Sequence, residues 1–165
     1  MKRPLIIGYG NPLREDDGIG SRAAALVELR LAPGAARVLQ CRQLTPELAL
    51  EVESASMVIF LDAAVGSEPG CISMEAISGA EFSSWTHHFT PRQLLALVNN
   101  PPPAYWITAG VSAVGWRESL TPQGEDSAMK MAEAALKLLR ERIWPERSQH
   151  GAAPATDTIC PARRP

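Results

Sequence analysis

The chain has 165 residues, a length that suits one domain with an apolar core large enough to fold without disulfides or a structural metal. Hydrophobic residues make up 45% and charged residues 21%, which excludes disorder, collagen and coiled coil, and a net charge of -2 leaves no electrostatic footprint for nucleic acid. No apolar run approaches the ~20 residues of a membrane span, and the amino terminus lacks the apolar stretch of a signal peptide. Cys41, Cys71 and Cys160 form no CxxC pair, so the expectation is a cytoplasmic protein with reduced cysteines.

Residues 5–9 are a short apolar run closed by Gly10, Asn11 and Pro12, which predicts a buried strand entering a loop. Ile19, Ala23, Leu26, Val27 and Leu31 then recur at helical spacing until Pro33-Gly34 stop the pattern. Residues 37–44 alternate as a second strand, and Thr45-Pro46-Glu47 opens a short helix that ends near Glu53. Residues 57–65 are a continuous apolar run broken only by Asp62, which predicts a central strand. A Gly-bounded turn at 66–70 leads to a half-exposed strand over 71–77, antiparallel to its predecessor. Thr90-Pro91 opens a helix that Asn99 and Pro101 to Pro103 end, residues 105–116 read as a last strand, and Thr121-Pro122 starts a long helix with an apolar face from Ala128 to Ile143. The order βαβαββαβα predicts a three-layer α/β fold, with a mostly parallel, mixed five-stranded sheet between helices. Residues 1–145 would form the domain, and 146–165, rich in Pro, Ala and Arg, a disordered tail.

In such a sheet, ligands gather beyond the carboxyl ends of the strands. The loop after the first strand carries Glu15, Asp16 and Asp17, and the third strand carries Asp62 near its carboxyl end. Gly8-Tyr9-Gly10 starts like a dinucleotide fingerprint, but Leu13 replaces the third glycine and three carboxylates would repel a pyrophosphate. One aspartate of the Asp16-Asp17 pair suffices to cap the following helix, which leaves the other to face a site. Asp62 on an apolar strand needs water, a cation or hydrogen-bond donors. His87 and His88 lie in a predicted loop; with two carboxylates, one imidazole would make an oxygen and nitrogen site for nickel, zinc or a related divalent ion. No GxSxG elbow and no catalytic cysteine signature is present.

The segment from Gly8 to Gly20, GYGNPLREDDGIG, resembles the amino-terminal signature of the hydrogenase maturation proteases, which process the large subunit of nickel-iron hydrogenases. Residues 58–63 resemble the family's second acidic strand end, Thr86-His87 with Pro91 and Leu94 its histidine segment, and Gly115 with Leu120-Thr121-Pro122 its approach to the last helix. Two departures stand out: Arg92 follows the proline where some relatives have histidine, and residues 43–48 replace a glycine-rich segment. The resemblance, over about residues 4 to 143, implies an endopeptidase that removes a carboxyl-terminal extension from a nickel-loaded precursor. It implies Asp17, Asp62 and His87 as the residues that meet the nickel, which the substrate supplies, and it makes Asp16 the cap. It also implies the hydrogenase large-subunit precursor as the partner; the sequence does not identify the oligomeric state, with a monomer favoured. A checkpoint or chaperone that grips the precursor without cutting it would use the same three residues.

Overall fold

The computed structural model describes residues 1–79, 89–112, 114–143 and 156–160. Its elements are β1 (Leu5–Tyr9), a 3-10 turn (Glu15–Gly18), α1 (Ile19–Glu28), β2 (Arg37–Cys41), α2 (Leu48–Glu53) and β3 (Val58–Val65). There follow β4 (Ile72–Ile77), α3 (Pro91–Ala96), β5 (Ala104–Val111), α4 (Pro122–Ile143) and β6 (Asp157–Ile159). The strands form one sheet in the order β2-β1-β3-β5-β4-β6. β2, β1, β3 and β5 run parallel, whereas β4 is antiparallel to both of its neighbours, β5 and β6.

The expected architecture is present with three differences. β4 has the reversed direction predicted for it, but β5 lies between it and β3. The reason is burial: β5 is buried along most of its length and takes a central place, while β4 alternates and suits a position nearer the edge. The loop before β4 is seated on the end of β5, where the Gly70 N–H donates to the Gly110 carbonyl and the Gly110 N–H to that of Cys71. Second, the sheet has six strands among the described residues rather than five, because Asp157–Ile159, inside the segment expected to be a disordered tail, pairs with β4. Residues 144–155 and 161–165 of that segment lie outside the described residues. A disulfide joins Cys71 to Cys160, beside this pairing, where reduced cysteines were expected. Third, β5 stops at Val111 and Trp116 is 84% exposed, with the Arg14 guanidinium 5.6 Å from its ring centroid.

Strand alternation divides the core in two. Ile6, Ile59, Leu61, Ile107 and Ala109 point to one face, where they pack under α1 and α4 with Ile19, Val27, Met131 and Leu138. Leu5, Ile7, Tyr9, Val58, Phe60 and Ala104 point to the other, against Val52 of α2 and Leu94 and Leu95 of α3. α3 starts as predicted: Thr90 and Gln93 form a reciprocal capping box with proline at the first helical position.

Candidate active site

The carboxylates expected to be chemically active occupy one end of the sheet. Asp62 sits on β3, in register with Thr108 of β5 and one residue beyond the Leu61 position that faces Gly8. The Tyr9 hydroxyl at the end of β1 donates to Asp62 Oδ2 at 2.7 Å, and the Ala63 N–H donates to Oδ1 at 2.8 Å. Burial pushes the Asp62 carboxyl up to about 6; the negative charge of Asp17 pushes the same way, and the two donated hydrogen bonds hold it down. Burial, reinforced by the charge of Asp62, raises the Tyr9 hydroxyl far out of the titratable range, so Tyr9 is a permanent donor.

The three acidic residues after β1 go to three different places. Glu15, with φ at +52°, is held in the left-handed region by the loop after β5: its N–H donates to the Arg117 carbonyl, and its Oε2 accepts from the Gly115 N–H at 3.2 Å. Asp16 is 2% exposed and turns to the start of α4, where Thr121 donates to it twice, from its N–H at 2.8 Å and its hydroxyl at 2.7 Å. That hydroxyl in turn accepts from the Gly124 N–H and so caps α4. A side chain at Gly124 would collide with the Asp16 carboxylate, which explains glycine inside a helix there. Asp17 turns the other way: its Oδ2 accepts from the Asn11 N–H at 2.8 Å, and among the described residues its Oδ1 has no partner. The loop can turn back over Asp17 because Gly10 has φ +137° and its missing side chain leaves room for the Asp17 carbonyl.

The structural cap is therefore Asp16, but it secures α4 across the fold rather than the helix that follows it. Asp17 and Asp62 are close enough to interact electrostatically. His87 and His88 lie outside the described residues; Phe89, the next residue, bridges to Leu44 and packs against the α2 and α3 side of the core. Among the described residues, the one group of three side chains able to converge on a metal is Glu68, Cys71 and Cys160, and its two cysteines are joined to each other.

Two participants were not expected from the sequence. Tyr9 reads as one more core residue of an apolar strand, yet a buried tyrosine hydroxyl needs a partner, and the neighbouring strand's carboxylate is its natural one. Trp106 lies on the same face of the sheet, its buried indole Nε1 near the Tyr9 hydroxyl but with no hydrogen bond of full geometry among the described residues. Glu15 pairs with Gly115 and Arg117, and Glu125 with Arg22. As for a thiol nucleophile, burial raises the Cys41 thiol away from the reactive thiolate form.

No family model matches the chain, and no curated protein matches it significantly in sequence. Solved structures do match. The hydrogenase-maturating endopeptidase HybD from E. coli superposes with a TM-score of 0.69 at 24% identity, covering 85% of this chain and 93% of that one. The [NiFe] hydrogenase maturation protease HycI from Thermococcus kodakarensis gives a TM-score of 0.68 at 20% identity, covering 84% and 93%. The [NiFe] hydrogenase maturation protease HybD from the same organism gives 0.66 at 22%, covering 83% and 99%. This chain has the fold of the hydrogenase maturation proteases. At these identities the likeness concerns the fold, and the chemistry has to be argued from the residues. No helix among the described residues is long and apolar enough to cross a membrane.

Proposed function

We propose that the chain is an endopeptidase that removes the carboxyl-terminal extension of a nickel-loaded nickel-iron hydrogenase large-subunit precursor, with Asp17, Asp62 and His87 meeting the nickel carried by the substrate. The observation that carries this reading is the convergence of Asp17 and Asp62 at the carboxyl edge of the sheet. Burial and the neighbouring charge make the ionised form of Asp62 costly, and an incoming divalent cation offsets that cost. Two carboxylates and an imidazole are donors that suit nickel. The fold shared with hydrogenase maturation proteases supports a role in the maturation of hydrogenases.

The chain's own residues then have distinct tasks. Tyr9 and the Ala63 N–H fix the rotation of the Asp62 carboxylate, and the Asn11 N–H fixes that of Asp17, so both are oriented before the substrate arrives. Among the described residues Asp17 Oδ1 has no partner, which leaves it to accept the metal. With both of its carboxylates anchored by donors, the site tethers the precursor near the bond to be cut, and the substrate's nickel supplies the Lewis acid that polarises the scissile carbonyl or a water.

The test is the mass of the large subunit after incubation with the protein. A nickel-loaded precursor should lose its extension and a metal-free one should not. Equal cleavage of both would end the metal-dependent reading; a stable complex at unchanged mass would make the protein a checkpoint that grips the precursor without cutting it.

A further inference from the structure

The outer edge of β4 is occupied by a piece of the same chain that has little to keep it there. Asp157, Thr158 and Ile159 pair antiparallel with Met74, Ser73 and Ile72, and all three are exposed, Ile159 at 69%. A three-residue ladder that buries no apolar side chain does not offset the entropy of ordering it. What holds the segment is the bond from Cys160 to Cys71, which joins positions 89 residues apart in sequence and makes the pairing intramolecular. Without that bond, the edge of β4 would present free N–H and C=O groups to any extended peptide.

The same edge is connected to the site. Thr158, Ser73, Thr108 and Asp62 occupy successive register positions across β6, β4, β5 and β3, and so lie in one row on one face of the sheet. At about 4.8 Å between strands, three steps span roughly 14 Å. An extended chain crosses that distance in about four or five residues at ~3.3 Å each. A peptide paired where β6 now lies can therefore pass over the face and place a bond beside Asp62.

We propose that the outer edge of β4 is the docking strand for the extended peptide on which the Asp62 site acts, and that Asp157–Ile159 is its internal occupant, latched by the disulfide between Cys71 and Cys160. The inference rests on the protease reading above and adds to it the place where the peptide binds, by strand addition. Unlatching is a two-electron exchange. A dithiol reductant attacks the Cys71–Cys160 bond, both sulfurs leave as thiols with two protons, and the reductant is left as its own disulfide.

The experiment compares the full-length oxidised protein with two unlatched forms, the dithiothreitol-reduced wild type and Cys160→Ser. Cleavage kinetics are measured on the nickel-loaded precursor, and amide hydrogen exchange is followed at Ile72 to Met74. Loss of an intramolecular competitor should lower KM about tenfold and leave kcat within about twofold. Exchange at Ile72 to Met74 should speed up on unlatching and slow again when the precursor is added. Equal KM values in all three forms, with exchange at these amides indifferent to the precursor, would overturn the docking edge while leaving the protease reading intact. If no form cleaves the precursor, the protease reading fails instead, and the edge is decided separately by a synthetic peptide of residues 155–162 carrying serine at position 160. Slowed exchange at Ile72 to Met74 on adding that peptide to Cys160→Ser supports an edge that accepts extended peptides; unchanged exchange overturns it.

Discussion

The two faces of the sheet use the same strands for opposite ends. On the α1 and α4 face the apolar rows continue to the carboxyl edge: Ile6, Ile59 and Leu61, Ile107 and Ala109 are fully buried. On the α2 and α3 face the rows begin equally apolar with Leu5, Ile7, Val58 and Phe60, then change character at Tyr9, Asp62, Trp106 and Thr108. One face holds the fold together up to its end, and the other gives up its last row to polar groups. The division even separates adjacent residues, since Asp16 is buried against the start of α4 while Asp17 turns toward Asn11 and Asp62.

The comparison breaks most readily on the first face. Ile107→Ala leaves a cavity beneath α1 and α4, and the expected loss is about 3 to 4 kcal/mol in urea unfolding. Activity of the fraction that remains folded should be normal. A loss of turnover beyond the loss of folded protein would mean that the α1 and α4 face also shapes the site.

Asp16→Ala sharpens the contrast between the neighbouring aspartates. It orphans the half-buried Thr121 N–H and frees the Thr121 hydroxyl that caps α4, so the expected cost is about 2 kcal/mol. Asp17→Asn should cost little stability and abolish nickel-dependent processing. The reverse pattern, measured by thermal unfolding and precursor mass, would exchange the roles of the two residues.

Asp62→Asn should separate stability from function. In the unfolded chain Asp62 has an ordinary carboxyl near 3.8; in the fold it is raised to about 6, so the folded state takes up the proton first. Asp62 therefore favours folding fully below pH ~4, and that contribution disappears as pH rises through about 6. The asparagine variant lacks this slope. It should be about 3 kcal/mol more stable than wild type at pH 8, no more stable at pH 3.5, and inactive. Parallel stability curves for the two proteins from pH 3.5 to 8 would remove burial as the cause of the shift.

Much of this division was legible before the structure. Apolar periodicity identified β1, β3 and the longer helices, Thr90-Pro91 announced the start of α3, and Asp62 stood out because an otherwise apolar strand tolerates a carboxylate only with donors or a cation nearby. What the sequence concealed was relational. A short turn after β3 fixes the reversal of β4 but not whether β5 enters between them, because strand adjacency depends on burial summed over the whole sheet. Asp16 was read as a local cap, while its partner Thr121 lies 105 residues away. The pairing of Cys71 with Cys160 is likewise invisible in spacing, and β6 has too little apolar content to read as a strand.

The smallest expected effect falls on the boundary between the faces' two uses, at Tyr9. Its ring belongs to the apolar core beneath α2 and α3, and its hydroxyl belongs to the site. Tyr9→Phe keeps the ring and removes one hydrogen bond to a charged group, for an expected cost of about 1.5 kcal/mol at pH 8. Because that bond favours the ionised carboxylate, its loss should move the Asp62 midpoint above 6, which carboxyl-carbon NMR on the metal-free protein would follow directly. Processing should slow rather than stop, since the Ala63 N–H still holds Oδ1 while Oδ2 becomes free to turn. An unchanged midpoint in the phenylalanine variant would mean that burial alone sets the Asp62 carboxyl, and that Tyr9 belongs with the core residues on the strand it ends.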